Sequence, residues 1–446
     1  MRASQFLVAS DEVLLDAEAN PVRLVLHTAS GQVYVLAEDV LQRLTGRPAA
    51  LSDGEQAELA AVDLLVADSR DEFSEAVEQN RAYLANLTDR MFVLMPAAYC
   101  NMGCGYCGQK HFRLPKQEQH RDAIKRRLIA AAEDPPTSAI NVAWFGAEPM
   151  MGYAQILDIS AAVIPACGSA GVPYSAKMVT NGSLLTLEKI RRLYHDCKLV
   201  FFEITLDGDA ESHNSQRPLK SGRKSFGHIV SVIRQACDAD LPGLRFSIRT
   251  NVSRANRGRH AQFAREMRDA GLADPRVSFY ATPVREWGND VSDYAIARRD
   301  LIDVERDWLE AYSDHGLDTG GVLPIKRRHM VCVAVNGRAE VIAPAGQLHS
   351  CTEQPLVPGR EDTAIGHVTQ AQSAELRPKG RYDDWNKNLL GDTSAYCPSC
   401  AIFPICGGAC PLIWDEGKPA CPPLKVTLPM RLTRYGLQLG LRNPAG

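Results

Sequence analysis

The sequence predicts an α/β protein whose central part is an open or closed barrel of about six strand-helix units. Three observations predict it. Between residues 89 and 290, short apolar, β-branched or aromatic runs alternate with longer amphipathic stretches, the pattern of repeated β-α units with a parallel sheet. The intervening stretches, such as LTLEKIRRLYHDC (185–197) and SFGHIVSVIRQACDADL (225–241), space apolar residues at three and four, as a helix covering one face of a sheet must. Polar motifs follow one run after another, at the carboxyl ends where the loops of such barrels carry ligands.

In chain order, residues 1–88 read as a small α+β unit, with a hairpin in VRLVLHTASGQVYVLAEDV (22–40) and helical stretches near 36–45 and 53–66. Six runs follow in 89–320: RMFVLMPAA (90–98), INVAWFG (140–146), YSAKMVTNG (174–182), LVFFEITLDG (199–208), LRFSIRTNV (244–252) and RVSFYATPV (276–284). Residues 321–446 form a third region. Its cysteine-rich part to 423 has Gly and Pro punctuation and little helical periodicity, so metal is expected to supply stability that a small core cannot. About three domains suit a chain of 446 residues.

Lys and Arg number 50 against 53 Asp and Glu, a net charge of -3, which draws the chain to neither nucleic acid nor an anionic membrane. The basic runs IKRR (124–127) and KIRR (189–192) read as solvated outer helix faces. No apolar run is expected to reach the ~20 residues that span a bilayer, and MRASQFLVASDE lacks the apolar core of a signal peptide. A cytoplasmic location is the expectation. In that reducing compartment the 13 cysteines are core thiols or metal ligands rather than disulfides. Cys167, Cys197 and Cys237 stand alone in apolar or helical surroundings and read as inert core thiols.

The other ten cysteines fall in two groups, and the first is the loop CNMGCGYC (100–107). Thiolates select zinc, copper(I) or iron-sulfur clusters. Structural zinc is normally held by four ligands in two close pairs, whereas Cys100-x3-Cys104-x2-Cys107 supplies three with no His at finger spacing. Zinc fits poorly. A four-iron cluster with three cysteine ligands keeps one iron open for a substrate or cofactor. GAEP (146–149), TNG (180–182) and TLDG (205–208) close the next three runs. Alone, each is as well explained by a turn; together on one rim they argue for a single site.

Cys-x3-Cys-x2-Cys with Tyr106 before the last cysteine resembles the signature loop of the radical S-adenosylmethionine (radical SAM) superfamily, a partial (β/α)6 TIM-like barrel. The resemblance implies that the open iron chelates SAM, and that reductive cleavage yields a 5′-deoxyadenosyl radical that abstracts hydrogen from the substrate. Gly146, Ala147 and Glu148 resemble the Gly-Gly-Glu-Pro segment that binds the SAM amino group, with Ala147 in place of the second glycine. Thr180, Asn181, Thr205 and Asp207 resemble the residues lining the ribose and carboxylate side. His213, Asn214 and Arg217 resemble a His-(Asp/Asn)-x2-Arg stretch, with Arg217 a partner for the SAM carboxylate; a structural role for Thr205 and Arg217 is the alternative.

The second group, Cys332-x13-Gly346-x4-Cys351 and then Cys397, Cys400, Cys406, Cys410 and Cys421, resembles the SPASM auxiliary-cluster domain of radical SAM enzymes that modify peptides and proteins. The resemblance implies two more 4Fe-4S clusters, three in all, one held by Cys332, Cys351 and Cys410 and an outer one by Cys397, Cys400, Cys406 and Cys421. Two zinc sites are the alternative.

The expected function is that of an oxidoreductase maturing a ribosomally made precursor peptide by a carbon-carbon, ether or thioether crosslink, with a flavodoxin- or ferredoxin-type reductant. The N-terminal hairpin and helices resemble a leader-peptide recognition unit; a packing extension of the barrel is the alternative. Peptide epimerisation, anaerobic sulfatase maturation and small-molecule dehydrogenation are rival readings. Thr352 counts against sulfatase maturation, because that family places an Asp directly after the cysteine corresponding to Cys351. No catalytic side chain beyond the cluster ligands is named.

Overall fold

The computed structural model describes residues 1–115, 118–323, 326–370, 376–391 and 397–444. Two compact units form, each from separated stretches: Leu87–Gly320 with Val333–Asp383, and Met1–Asn86 with Gly321–Cys332 and Asp384–Gly446.

In the first unit each apolar run yields a strand: β1 (Arg90–Leu94), β2 (Ile140–Trp144), β3 (Tyr174–Thr180), β4 (Leu199–Thr205), β5 (Arg245–Val252) and β6 (Val277–Pro283). They lie in chain order with every neighbour parallel. Helices Glu118–Glu133, Tyr153–Ser169, Leu187–Cys197, Phe226–Asp238 and His260–Asp269 occupy the successive connections. The strand residues Trp144, Met178, Phe202, Ile204, Phe246 and Ile248 share one core with Leu128, Ile159, Ile190, Ile233 and Phe263 of those helices. Each such side chain contributes roughly 1.5–3 kcal/mol on burial, so the helix-covered face holds the unit together. Alternate positions on the strands point to the other face, where Val93, Ala143 and Val341 form a smaller cluster.

Among the described residues the sheet has nine strands rather than six. β7 (Ala339–Ile342) adds in parallel beside β1, and β8 (Gln347–His349) and β9 (Gly366–His367) continue antiparallel. Residues 333–383, expected in the C-terminal domain, therefore belong to the barrel unit, because all four residues of β7 are buried and their backbone pairs with the core strand β1. Glu340 supplies a second reason. Its carboxylate takes Arg90 Nη2 at 2.7 Å and Arg127 Nε at 2.5 Å, with side-chain exposures of 0% for Glu340 and Arg90 and 1% for Arg127. The last arginine of IKRR is thus a buried ion partner and not part of a solvated face.

A second difference concerns Pro149–Ser169, which by length and composition alone is apolar enough to cross a membrane. Its apolarity has a local explanation: Ile156, Ile159, Val163 and Cys167 are buried in the core of this unit.

In the second unit Pro21–His27 and Gln32–Ala37 form the expected hairpin, in register from Val22↔Ala37 to His27↔Gln32. The helix Asp53–Ala61 starts at a capping box between Ser52 and Glu55 and stops before 66. Asp63 turns the chain at a φ of 59°, and Leu65–Val66 pairs as a strand with Arg2–Ala3. A further helix, Glu72–Ala85, capped by Asp71, packs Phe73, Ala76 and Val77 against Leu389 and Phe403. The helix Leu424–Gln438 sets Leu428 and Leu432 against Leu14, Leu24 and Leu26. The N-terminal region and the cysteine-rich C-terminal region, expected as separate domains, share these two cores.

Candidate functional site

Cys100, Cys104 and Cys107 line one cavity of about 210 Å³ together with Gly146, Ala147, Thr180, Asn181, Thr205 and Arg217. The loops that close β1 to β4 are thereby gathered in one place. Of the residues singled out in sequence, Glu148 and Asp207 are fully buried and do not line the cavity. Glu148 accepts from Thr180 Oγ1 at 2.7 Å, Asn181 N at 2.8 Å and Met150 N at 2.9 Å, so it ties the end of β2 to the end of β3. Burial pushes its carboxyl above the usual range, and the three donors oppose that shift.

Tyr106 is the hub of the other side. Its hydroxyl donates to Asp207 and accepts from Arg217 Nη1 at 2.5 Å and Asn251 Nδ2 at 3.1 Å, while Asp207 also accepts from Asn251 N at 3.0 Å. The cysteine loop is in this way pinned to the ends of β4 and β5. Arg217 lines the cavity but is already engaged with Tyr106, and lies 3.7 Å from Asp207. His213 is fully buried, with Nδ1 accepting from Asp207 N at 3.3 Å and Nε2 3.0 Å from Ser225 Oγ. Burial drives its pKa down to about 3, so a neutral ring braces the loop. Asn214 accepts from Ser225 N at 2.9 Å and is likewise a brace.

The three thiols offer soft donors of the kind that iron-sulfur clusters take. Cys100 Sγ accepts from Met102 N at 3.4 Å and Asn181 Nδ2 at 3.6 Å, donors that suit a thiolate. Burial raises Cys100 and Cys107 and pushes Cys104 up to about 11, a cost that bound metal charge reverses. Among the described residues no three His, Cys, Asp or Glu side chains close on a single metal ion. Three thiols lining one cavity are the donor set a three-cysteine iron-sulfur cluster with one open position takes, so these residues fit such a cluster.

In the second unit Cys397, Cys400, Cys406 and Cys421 line one recess. Burial first, and then the neighbouring Cys406, Cys400 and Cys421, push Cys397 up to about 12. These four thiols are brought together. Cys332 and Cys410 belong to this unit, whereas Cys351 belongs to the barrel unit. Cys167, Cys197 and Cys237 are buried in the barrel core and line none of the cavity.

Several cavity residues escaped the sequence reading: Gln109, Glu203, Arg249, Asn251, Trp287 and Glu353. Glu203 carried a signal, since it is a charged residue inside the otherwise largely apolar strand LVFFEIT, and alternation places both Glu203 and Arg249 opposite the helix-covered face. They lie 3.9 Å apart. Glu353, two residues after Cys351, has its carboxyl raised by burial, with Arg249 and Arg360 opposing. No short motif announces Trp287, which reaches the site because Gly108 has no side chain: a Cβ there would overlap the Trp287 carbonyl oxygen, as one at Gly105 would overlap the Tyr294 hydroxyl. Gly108→Ala is expected to push the two segments apart at a cost of about 1–3 kcal/mol. A lowered thermal midpoint of the full-length protein checks this, and an unchanged midpoint refutes it.

Residues 94–254 match the radical SAM superfamily. The chain carries a radical SAM domain. The matched span runs from the end of β1 to just past β5 and contains the three-thiol loop, both braces and the cavity rim up to Asn251. A serine-type anaerobic sulfatase-maturating enzyme of Klebsiella aerogenes is 24% identical over 342 residues, covering 70% of this chain and 77% of that protein. Among solved structures, native anSMEcpe with bound AdoMet and the Cp18Cys peptide aligns with a TM-score of 0.58 at 15% identity, over 79% of this chain and 98% of that one. SuiB of Streptococcus suis aligns with a TM-score of 0.50 at 14% identity, over 93% of this chain and 97% of that one. At such identities the structural likeness is one of fold.

Proposed function

We propose that this chain is a radical SAM maturase that binds SAM at the three-thiol cavity and oxidises a peptide. The observation that carries the reading is the convergence, in one cavity, of Cys100, Cys104 and Cys107, the GAEP and TNG loops, and a further set of polar and aromatic side chains, Glu203, Arg249, Trp287 and Glu353, free of the cysteine and SAM motifs. When bound, the cluster and SAM supply hydrogen-atom abstraction at an unactivated carbon. The protein's own part is positional. Tyr106, Asp207 and Glu148 fix the rim, and the second set of side chains offers donors and acceptors for a substrate beside it. A peptide substrate is supported by the relatives, one named for sulfatase maturation and one solved with a peptide bound.

The specific reaction proposed is oxidative crosslinking of a ribosomally made peptide, with the four thiols at 397, 400, 406 and 421 holding an auxiliary cluster that takes the second electron, and a flavodoxin- or ferredoxin-type protein supplying the first. The hairpin strand Gln32–Ala37 pairs on one side only among the described residues, and Val35 on it is 49% exposed. Such an edge suits strand addition by a leader peptide. Formylglycine formation on a sulfatase is the second reading, favoured by the Klebsiella relative and disfavoured by Thr352. Epimerisation by Cys167, Cys197 or Cys237 as hydrogen donor is disfavoured, since all three lie in the barrel core away from the cavity.

The test is the mass of the peptide encoded beside this gene after co-expression at low oxygen, with and without this protein, in ordinary and deuterated water. Loss of two hydrogens per event is the expected result. Deuterium uptake without oxidation means epimerisation, and an unchanged mass beside proven SAM cleavage removes that peptide as the substrate.

A further inference from the structure

GAEP departs from the resembled Gly-Gly-Glu-Pro segment at Ala147, and the backbone shows what the departure entails. Gly146 and Ala147 stand at φ of 80° and 44°, two successive residues in the left-handed region. Glycine takes that conformation freely; an L-residue with a Cβ does not. Gly146 is also closely packed: a Cβ there would meet Met95 Sδ at 2.6 Å. Ala147 is therefore a strained residue on the wall of the cavity, and something must hold it.

A side chain reaches it. Gln109 Oε1 accepts the hydrogen bond of Ala147 N at 2.8 Å, across 38 positions of sequence, and Gln109 itself lines the cavity. It follows Cys107 by two residues, so the same short segment carries a thiol and the clamp on the opposite loop.

We infer that Gln109 is a positioning residue for SAM, an acceptor that locks the strained Gly146-Ala147 turn in the shape that presents its backbone to the bound molecule. The inference rests on reading the cavity as the SAM site. Without the clamp, Ala147 relaxes toward negative φ and the carbonyls of 146 and 147 turn away. With glycine at 147 there is nothing to relax, so the clamp loses its purpose.

The two positions are therefore expected to be coupled. SAM affinity is measured on the reconstituted full chain from the change in the electron paramagnetic resonance spectrum of the reduced cluster as SAM is titrated. Gln109→Ala is expected to weaken SAM about five- to tenfold, the loss of one well-made hydrogen bond and the turn it holds. In the Ala147→Gly background the same change is expected to cost less than about twofold. Gln109→Glu, which keeps an acceptor, retains the affinity, and Gln109→Lys, which offers only donors, loses it. Equal losses in the two backgrounds, or no loss in either, overturn the inference, as does retention by lysine. Iron content and the free cluster's spectrum, matched among variants, exclude misfolding as the cause. Failure of the unsubstituted enzyme to bind SAM at all overturns the SAM reading itself and is thus a different result.

Discussion

Replacing Cys104 by alanine is expected to abolish SAM cleavage, with 5′-deoxyadenosine falling by more than about 100-fold. Losing an outer-shell partner of a metal ligand already costs 10–100-fold, and Cys104 is one of only three thiols at this cavity. The assay is 5′-deoxyadenosine formation with dithionite as reductant, beside iron and sulfide content. Normal cleavage by the variant would sink the assignment of the loop and every step built on it. Alanine at Cys397, Cys400 and Cys406 together is expected to behave differently, sparing cleavage while losing product.

How much of this was legible in the sequence depends on how local each signal is. The six strands were, because RMFVL, INVAW and the others concentrate apolar and β-branched residues in runs that need no partner to be noticed. The rim loops were legible for a related reason, since each motif sits a few residues after its strand and the barrel does the gathering. Gln109 was not legible: a glutamine after a cysteine-rich loop says nothing until Ala147 is seen opposite it. Glu340 was the hardest. Nothing in AEVI points to its partners, Arg90 and Arg127, which are 250 and 213 residues away. A domain boundary drawn at 321 from cysteine content follows from the same blindness, since composition cannot reveal that β7 pairs with β1. The Glu72–Ala85 helix was missed because its buried face mixes Glu72 and Asn80 with Phe73, Ala76 and Val77 and its partners, Leu389 and Phe403, lie at the other end of the chain.

Glu340 also bears the largest expected effect on stability. Glu340→Ala leaves the guanidinium of Arg90, fully buried and with Nε and Nη1 already without partners among the described residues, facing Arg127 with no carboxylate between them. Breaking a buried pair by removing one partner costs about 3–5 kcal/mol, because the remaining charge keeps its desolvation penalty and loses what offset it. The direction of the Arg90 shift agrees: burial lowers its pKa from the ordinary arginine value, and Glu340 opposes the lowering. The damage is predicted to extend to the site, because β7 leads through β8 directly to Cys351 and to Glu353 on the cavity wall. Urea unfolding followed by tryptophan fluorescence reads the effect, and a loss under about 1 kcal/mol would show that the triad is not what anchors β7. Replacing all three by apolar residues of similar volume, Arg90→Met, Arg127→Met and Glu340→Leu, is expected to restore much of the loss, as buried ion triads are often no more stable than the apolar packing that can replace them. Recovery of stability without recovery of SAM cleavage would then mean that the triad sets the position of the Cys351 segment as well as its stability.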